Sequence, residues 1–319
     1  MKAYIINENE AGQRFDKYLR KLLKEAPGSF VYKMLRKKNI VLNAKKADGT
    51  EKLLAGDEVK LFLADETFAK FQGECLPAAS VQAQYPYRPL DIIYEDADWL
   101  ILNKPAGMLS QKADVNDISA NELVIGYLLQ KQVITPESLT TFKPSICNRL
   151  DRNTSGLLTA GKTLKGLQEL SCAFKERSVQ KYYQCMVTGQ IQAGKRLQGY
   201  LTKNEATNQV VISQTETEDA SYIETEYEPL AVYSHATLLS VHLITGRTHQ
   251  IRAHLASIGH PIIGDIKYGA EKVNQRWRKE AGVNRQLLHA YRMVLTDGRV
   301  IEAELPKDFV HALDYAKQQ

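Results

Sequence analysis

The sequence predicts an α+β fold: a large domain on a mixed, mainly antiparallel sheet flanked by helices and loops, preceded by a small helix–helix–strand module. Three observations point there. Apolar segments of strand length recur with helical patterns between them, but without the regular strand–helix alternation of a parallel α/β sheet. The hydrophobic period fails from about residue 64, where Pro77, Pro86 and Pro89 gather among small residues, so the 319 residues divide into 1–65, a linker 66–88, and 89–319. Charge is also uneven. Residues 14–46 hold eleven basic and two acidic side chains, hence +9, while the whole chain carries +5, so the remainder totals −4. Such asymmetry marks a basic module that meets a polyanion, attached to a near-neutral body.

The elements follow in order. Within residues 13–25, Phe15, Tyr18, Leu19, Leu22 and Leu23 fall at helical spacing, with Arg14, Lys17, Lys21 and Lys24 opposite. Pro27-Gly28 breaks that helix, and Ser29 is expected to cap a second one through Lys38, burying Val31, Met34 and Leu35 and carrying Arg36 and Lys37. Residues 40–43 and 58–63 read as strands, the latter alternating through Val59, Leu61 and Leu63. In the larger domain, strands are expected at 91–95 and 99–104, the second stopped by Pro105. A helix near 119–132 leads through a loop to 145–150. Further strands are expected at 156–160, 182–187, 237–245 and 287–295, and helices at 163–177 and 249–258.

Composition excludes several classes. Hydrophobic residues make up 44% and charged residues 25%, as in an ordinary globular protein. The apolar runs, such as 99–102, are far too short to span a bilayer, and residues 1–10 lack a signal-peptide core; a cytoplasmic protein is expected. Cys75, Cys147, Cys172 and Cys185 lie far apart without metal-ligand spacing and read as reduced thiols. No phosphate-cradling glycine motif, nucleotide fingerprint or serine elbow is present, so no cofactor is implied.

Two polar clusters could carry chemistry. In Asn148-Arg149-Leu150-Asp151-Arg152-Asn153-Thr154, between apolar segments, Asp151 is flanked by two guanidinium groups and should stay ionised, suiting a nucleophile better than a proton donor. The competing reading is a structural ion pair in a turn. In Gly246-Arg247-Thr248-His249-Gln250-Ile251-Arg252-Ala253-His254, Arg247 stands at a strand-to-helix junction from which a side chain can reach a cleft. A solvated basic segment is the plainer alternative. His249 and His254, five residues apart, do not share a helical face, so a metal site is not expected. Of Tyr182 and Tyr183, one should face the core and its neighbour the other side. The segments 102–107 and 260–269 are turn-rich.

Taken together and in this order, these segments resemble the RluA-type RNA pseudouridine synthases, along essentially the whole chain, and most of all the branch acting on large-subunit ribosomal RNA. Residues 14–63, with Arg14-Phe15-Asp16-Lys17 and Gly56-Asp57-Glu58-Val59, look like the α-L RNA-binding domain. The resemblance implies an isomerase that turns uridine into pseudouridine, with Asp151 as nucleophile, Tyr183 as the active-site aromatic and Arg247 as the ion-pair partner of the carboxylate. Arg14, Lys17, Lys21, Lys24, Arg36 and Lys37 in the module, and Arg149, Arg152, His249 and Arg252 in the two motifs, become the expected RNA contacts. Asn148 departs from a histidine common before Arg-Leu-Asp-Arg, and Ser110-Gln111 from Val-His. Ribosomal RNA is favoured over transfer RNA as partner, with no metal, no cofactor, no membrane, no obligate protein partner and a monomeric state. A catalytically idle RNA-binding assembly factor and an ordinary glycosidase are the rivals. Such chemistry is open to a carboxylate, because a glycosyl bond can break through a covalent carboxylate intermediate, once the target base has left its stack.

Overall fold

The computed structural model describes residues 1–72, 78–204 and 209–319. Its N-terminal part contains β1 (Lys2–Ile5), α1 (Phe15–Leu22), α2 (Gly28–Arg36), β2 (Ile40–Leu42), β3 (Lys45–Lys46) and β4 (Glu58–Leu61). The strands pair in the order β1-β4-β2-β3. Phe15, Tyr18, Leu19, Leu22 and Leu23, expected on one helical face, are all at least 97% buried, against Val31, Leu35, Ile40 and Val59. Their helical neighbours Arg14, Lys17, Lys21 and Lys24 are exposed, as are Arg36 and Lys37. The second helix starts at Gly28 with Pro27 as its N-cap, so Ser29 lies inside it rather than capping it. The edge strands β1 and β3 escaped the sequence reading because neither alternates: both residues of β3 are exposed lysines, and no residue of β1 is fully buried.

The stretch read as a linker carries α3 (Asp65–Gln72) and α4 (Ala78–Gln84). Each is held by few apolar side chains. Phe68 packs into the N-terminal core, and Val81 with Tyr85 into the core of the large sheet. Two such anchors give no readable period. Cys75 lies outside the described residues.

The large domain comprises β5 (Ile92–Glu95), β6 (Trp99–Lys104), α5 (Ala120–Gln130), β7 (Ser145–Ile146), β8 (Ser155–Gly161), α6 (Leu164–Lys175), β9 (Gln180–Thr188), β10 (Lys195–Asn204), β11 (Gln209–Ser213), β12 (Ser221–Val232), β13 (Ala236–Leu243), α7 (Gln250–Ser257), α8 (Glu271–Ala281), β14 (Leu288–Val294), β15 (Val300–Glu302) and α9 (Lys307–Lys317). Eleven strands form one sheet along the path β11-β10-β12-β13-β9-β14-β8-β6-β5, with β15 on β14 and β7 on β8. All pairs are antiparallel except β8 with β14, so the sheet is mixed and mainly antiparallel. At that parallel contact, a Cβ on Gly156 would lie 2.2 Å from the Ala290 carbonyl oxygen, and its φ is +113°. Only glycine lets β8 approach β14 so closely. One face of the sheet packs on α5 and α7 around Leu102, Leu158, Val187 and Val241. The other meets α6 at Ala173 and Phe174. Ser119 and Glu122 form a capping box on α5, and the Thr163 hydroxyl accepts from Gly166 N–H (3.0 Å) on α6. No described helix is long and apolar enough to cross a membrane.

Candidate active site

Asp151 sits on the loop between β7 and β8, and the backbone of that loop is held carbonyl by carbonyl. The Ser110 hydroxyl donates to Leu150 O (2.8 Å) and accepts from Leu150 N–H (3.0 Å). Asp151 O accepts from Thr154 N–H (3.0 Å). Arg152 O accepts from Gly107 N–H (2.9 Å) and from Lys104 Nζ (3.1 Å), and Asn153 O from Arg285 Nη1 (3.2 Å). Lys104 is fully buried and also donates to Pro105 O (3.0 Å) and Met108 O (2.8 Å). Burial, with the charge of Arg285, pushes its pKa down to about 7, opposed by Asp151. Only the protonated amine has three N–H groups for three carbonyls. Asn148 ties the same loop to β8, accepting from Thr159 N–H (2.8 Å) and donating to Leu157 O (3.2 Å).

The carboxylate is aimed by an arginine. Arg252 Nη1 donates to Asp151 Oδ2 at 2.7 Å, while its Nε and Nη2 donate to Asp265 at 2.6 and 2.9 Å. Asp265 is fully buried and accepts further bonds from Lys267 N–H (2.9 Å) and Tyr268 N–H (3.1 Å). The guanidinium also lies over the Tyr268 ring, 5.2 Å from its centroid. Burial works against the Arg252 charge, but the bonds and charges of Asp265 and Asp151 outweigh it and hold the group above its ordinary pKa. Among the described residues no protein group bonds Asp151 Oδ1.

Two expectations change here. The resemblance assigns the ion pair to Arg247, but Arg252 makes it. Arg247 is exposed before α7, lining the cleft, while its backbone N–H donates to Gln250 Oε1 (3.0 Å). Arg252, expected as an RNA contact, is 5% exposed on the buried run of α7 and meets the cleft only at its floor, beside Asp151. The reason is burial: α7 is covered from Gln250 to Leu255, which turns residue 252 inward. Asp265 and Tyr268 were legible in sequence only as part of a turn-rich segment. Neither Arg149 nor Arg152 bonds Asp151 among the described residues; both are exposed at the rim, Arg152 Nε donating to Gly107 O (3.2 Å). His249, half-buried, places Nε2 3.9 Å from Asp151 Oδ2.

Tyr183 on β9 lines the same cleft and is 6% exposed; its strand neighbour Tyr182 faces the other side, stacked on His242 at 4.7 Å. Burial, then the Asp151 charge, raises the Tyr183 pKa, so its phenol stays protonated. The cleft has a volume of about 1130 Å³, and the side chains lining it include nine lysines and arginines but one carboxylate, Asp151. A cleft of that size and sign takes a polyanion with a base turned inward, against a carboxylate with one oxygen held and one open.

Residues 98–257 match the model of the RNA pseudouridylate synthase family. The chain is 34% identical over 286 residues to ribosomal large subunit pseudouridine synthase C of Vibrio vulnificus (strain CMCP6), covering 89% of this chain and 85% of that protein. It is 34% identical over 317 residues to the protein of the same name from Escherichia coli (strain K12), covering 97% and 93%. The chain belongs to the RNA pseudouridylate synthases. As a member of that family it is an isomerase acting on RNA. The fold of this synthase is shared with human RNA pseudouridylate synthase domain containing 4, at a TM-score of 0.59 and 19% identity over 75% of this chain and 96% of that one. Human RNA pseudouridylate synthase domain containing 1 follows at 0.55 and 24% over 72% and 87%.

Proposed function

We propose that this synthase isomerises specific uridines of large-subunit ribosomal RNA, with Asp151 as nucleophile. The observation that carries the role of Asp151 is its carboxylate, bonded through Oδ2 to a buried arginine and open at Oδ1 inside a cationic cleft. Oδ1 is then the attacking atom. The reaction breaks the bond from ribose C1′ to uracil N1, turns the base and forms a bond from C1′ to C5; C5 loses a proton and N1 gains one. Attack of Oδ1 on C1′ or on uracil C6 uses the same geometry. Arg252 keeps the carboxylate charged and aimed, and Tyr183 packs against the flipped base. The exposed cations of α1 and α2 and of the cleft rim hold neighbouring phosphates. The names of the relatives from Vibrio and Escherichia coli, matched over most of their length, support the choice of RNA. A cytoplasmic site of action goes with that substrate.

The test is release of tritium from C5-labelled uridine in unmodified large-subunit ribosomal RNA, comparing wild type with Asp151→Ala. We expect release by wild type alone, with RNA affinity of the variant within about threefold, since only transition-state contacts are removed. Release by both proteins would remove Asp151 from the nucleophile role. Silence from both would turn attention to an RNA-binding function without catalysis.

A further inference from the structure

Three features set His249 apart from the other residues of the cleft. Its backbone lies in the left-handed region (φ 54°, ψ 14°), which non-glycine residues rarely adopt, although histidine does so more often than most. Such conformations persist where the surroundings over-determine them, and they gather at functional sites. Its ring is held at Nδ1 by the Tyr268 hydroxyl (3.0 Å), and that hydroxyl is itself anchored by accepting from Val210 N–H (2.9 Å). The two rings meet edge to face at 5.7 Å. Its Nε2 faces the cleft 3.9 Å from Asp151 Oδ2, too far for a hydrogen bond, and has no hydrogen-bond partner among the described residues.

Resting on the proposed isomerisation, we propose that His249 Nε2 accepts the C5 proton in its last step, with Tyr268 as the residue that positions the ring. Once C1′ has joined C5, that carbon still carries its hydrogen. The C5–H bond then breaks and the proton moves to Nε2; its electron pair restores the C5=C6 double bond as the N1=C6 pair moves onto N1 or, in an adduct at C6, as the C6–Oδ1 bond breaks and its pair leaves with Asp151. The imidazolium so formed donates through Nδ1 to the Tyr268 oxygen and is stabilised by the nearby Asp151 carboxylate. It returns the proton to N1 or to solvent, which leaves the protein unchanged. At this point C5 is bonded to the ribose carbon, or is next to the ring carbon, that Asp151 attacks. The base must therefore lie within a few ångströms of that carboxylate. Among the described residues, the basic side chains within 4 Å of that carboxylate are Arg252, which cannot take up a proton, and His249. Burial, with the charges of Arg252 and Lys267, keeps the imidazole neutral below its ordinary range, against the pull of Asp151 and Asp265. The phenol of Tyr183 is already protonated.

The test uses His249→Asn, since asparagine tolerates the left-handed backbone but offers no base. Wild type and variant are given ribosomal RNA transcripts carrying uridine, uridine deuterated at C5, or 5-fluorouridine, which has no C5 proton to lose. We expect turnover of uridine to fall about 100-fold or more, and a primary deuterium isotope effect to appear or grow in the variant. We expect rearrangement of the 5-fluorouridine transcript to its C5-linked product to stay within about threefold of wild type. An equal loss on both RNAs would overturn the proposal in favour of a role in binding or bond cleavage. Unchanged uridine turnover would overturn it in favour of Asp151 itself as base. If the asparagine variant does not fold, Tyr268→Phe carries the same comparison: a loss of about tenfold on uridine alone supports the proposal, and parallel losses overturn it. A wild-type protein that forms no pseudouridine would instead refute the isomerase reading itself, through the first transcript alone.

Discussion

Arg252 divides one guanidinium between two carboxylates, and its partner Asp265 is the more deeply buried of the two. Asp265 therefore acts on Asp151 from a distance, by fixing two of the arginine's nitrogens while the third reaches the cleft. In Asp265→Asn the amide would oppose its own N–H donors to those of Arg252, leaving a buried charge half-partnered. Breaking a buried pair in this way costs about 3–5 kcal/mol. We expect a stability loss of that order in urea unfolding, and a fall in kcat of about 100-fold with RNA affinity nearly unchanged, because the mis-aimed group is the proposed nucleophile. Full activity in a destabilised variant would confine Asp265 to holding the fold. At this scale the sequence was partly legible. The resemblance brought Asp151 and Tyr183 forward as active-site residues, and the structure has both lining the cleft; the same motif brought Arg247 and Arg252 forward together. Choosing between those arginines needed the burial of α7, which no local pattern reveals because Arg252 is itself the most polar side chain on the covered face.

At the scale of elements, the loop that carries Asp151 is a short segment whose carbonyls from Leu150 to Asn153 all accept hydrogen bonds, three of them from Ser110, Lys104 and Arg285 in two distant parts of the chain. Ser110 contributes most to the residue next to Asp151, since its hydroxyl both donates to and accepts from Leu150. In Ser110→Ala two buried backbone groups lose their partner, at about 1–3 kcal/mol. A shift of about 1 Å at Asp151 would lower kcat by up to about 100-fold. We expect Ser110→Thr, which keeps the hydroxyl, to recover most of the rate; equal loss in both variants would mean that volume, not the hydroxyl, matters. Sequence could not say what Ser110 does, because its partner is 40 residues away. Elements rich in large apolar side chains, such as α1, β6, α5 and α6, were read correctly to within a few residues. β10 and β12 alternate but were missed, because their buried positions, Leu197, Gly199, Leu201, Ile223, Thr225 and Tyr227, include a glycine and a threonine and so carry few large apolar side chains. In α8 the apolar residues are too few to stand out: Val273, Trp277 and Ala281 among charged neighbours.

For the whole molecule, net charge concealed the arrangement that counts. The chain outside residues 14–46 totals −4, yet its cleft gathers nine cations around one carboxylate, because the acids lie elsewhere on the surface. The fold also buries neutral histidines, which ties its stability to pH. His254 is 2% exposed and His289 fully buried; burial, the largest cause at each, pushes them from 6.5 down to about 4. At His289 the ring is satisfied as a neutral base: Nε2 donates to Ala303 O (3.2 Å), so Nδ1 accepts from the Ser155 hydroxyl (2.9 Å). The unfolded chain takes up these protons near pH 6.5 and the folded chain only near pH 4, so the unfolded state binds more protons in between. Stability from these groups is complete above about pH 6.5, falls as pH drops toward 4 and levels off below. Each ring adds a slope of up to about 1.4 kcal/mol per pH unit, a large share of a total of roughly 5–15 kcal/mol. Urea unfolding followed from pH 7 to 4.5 should show that decline, and His289→Gln should reduce its slope by about one proton's worth. A wild-type curve that stays flat over this range would mean that the two rings are protonated and paired inside the fold.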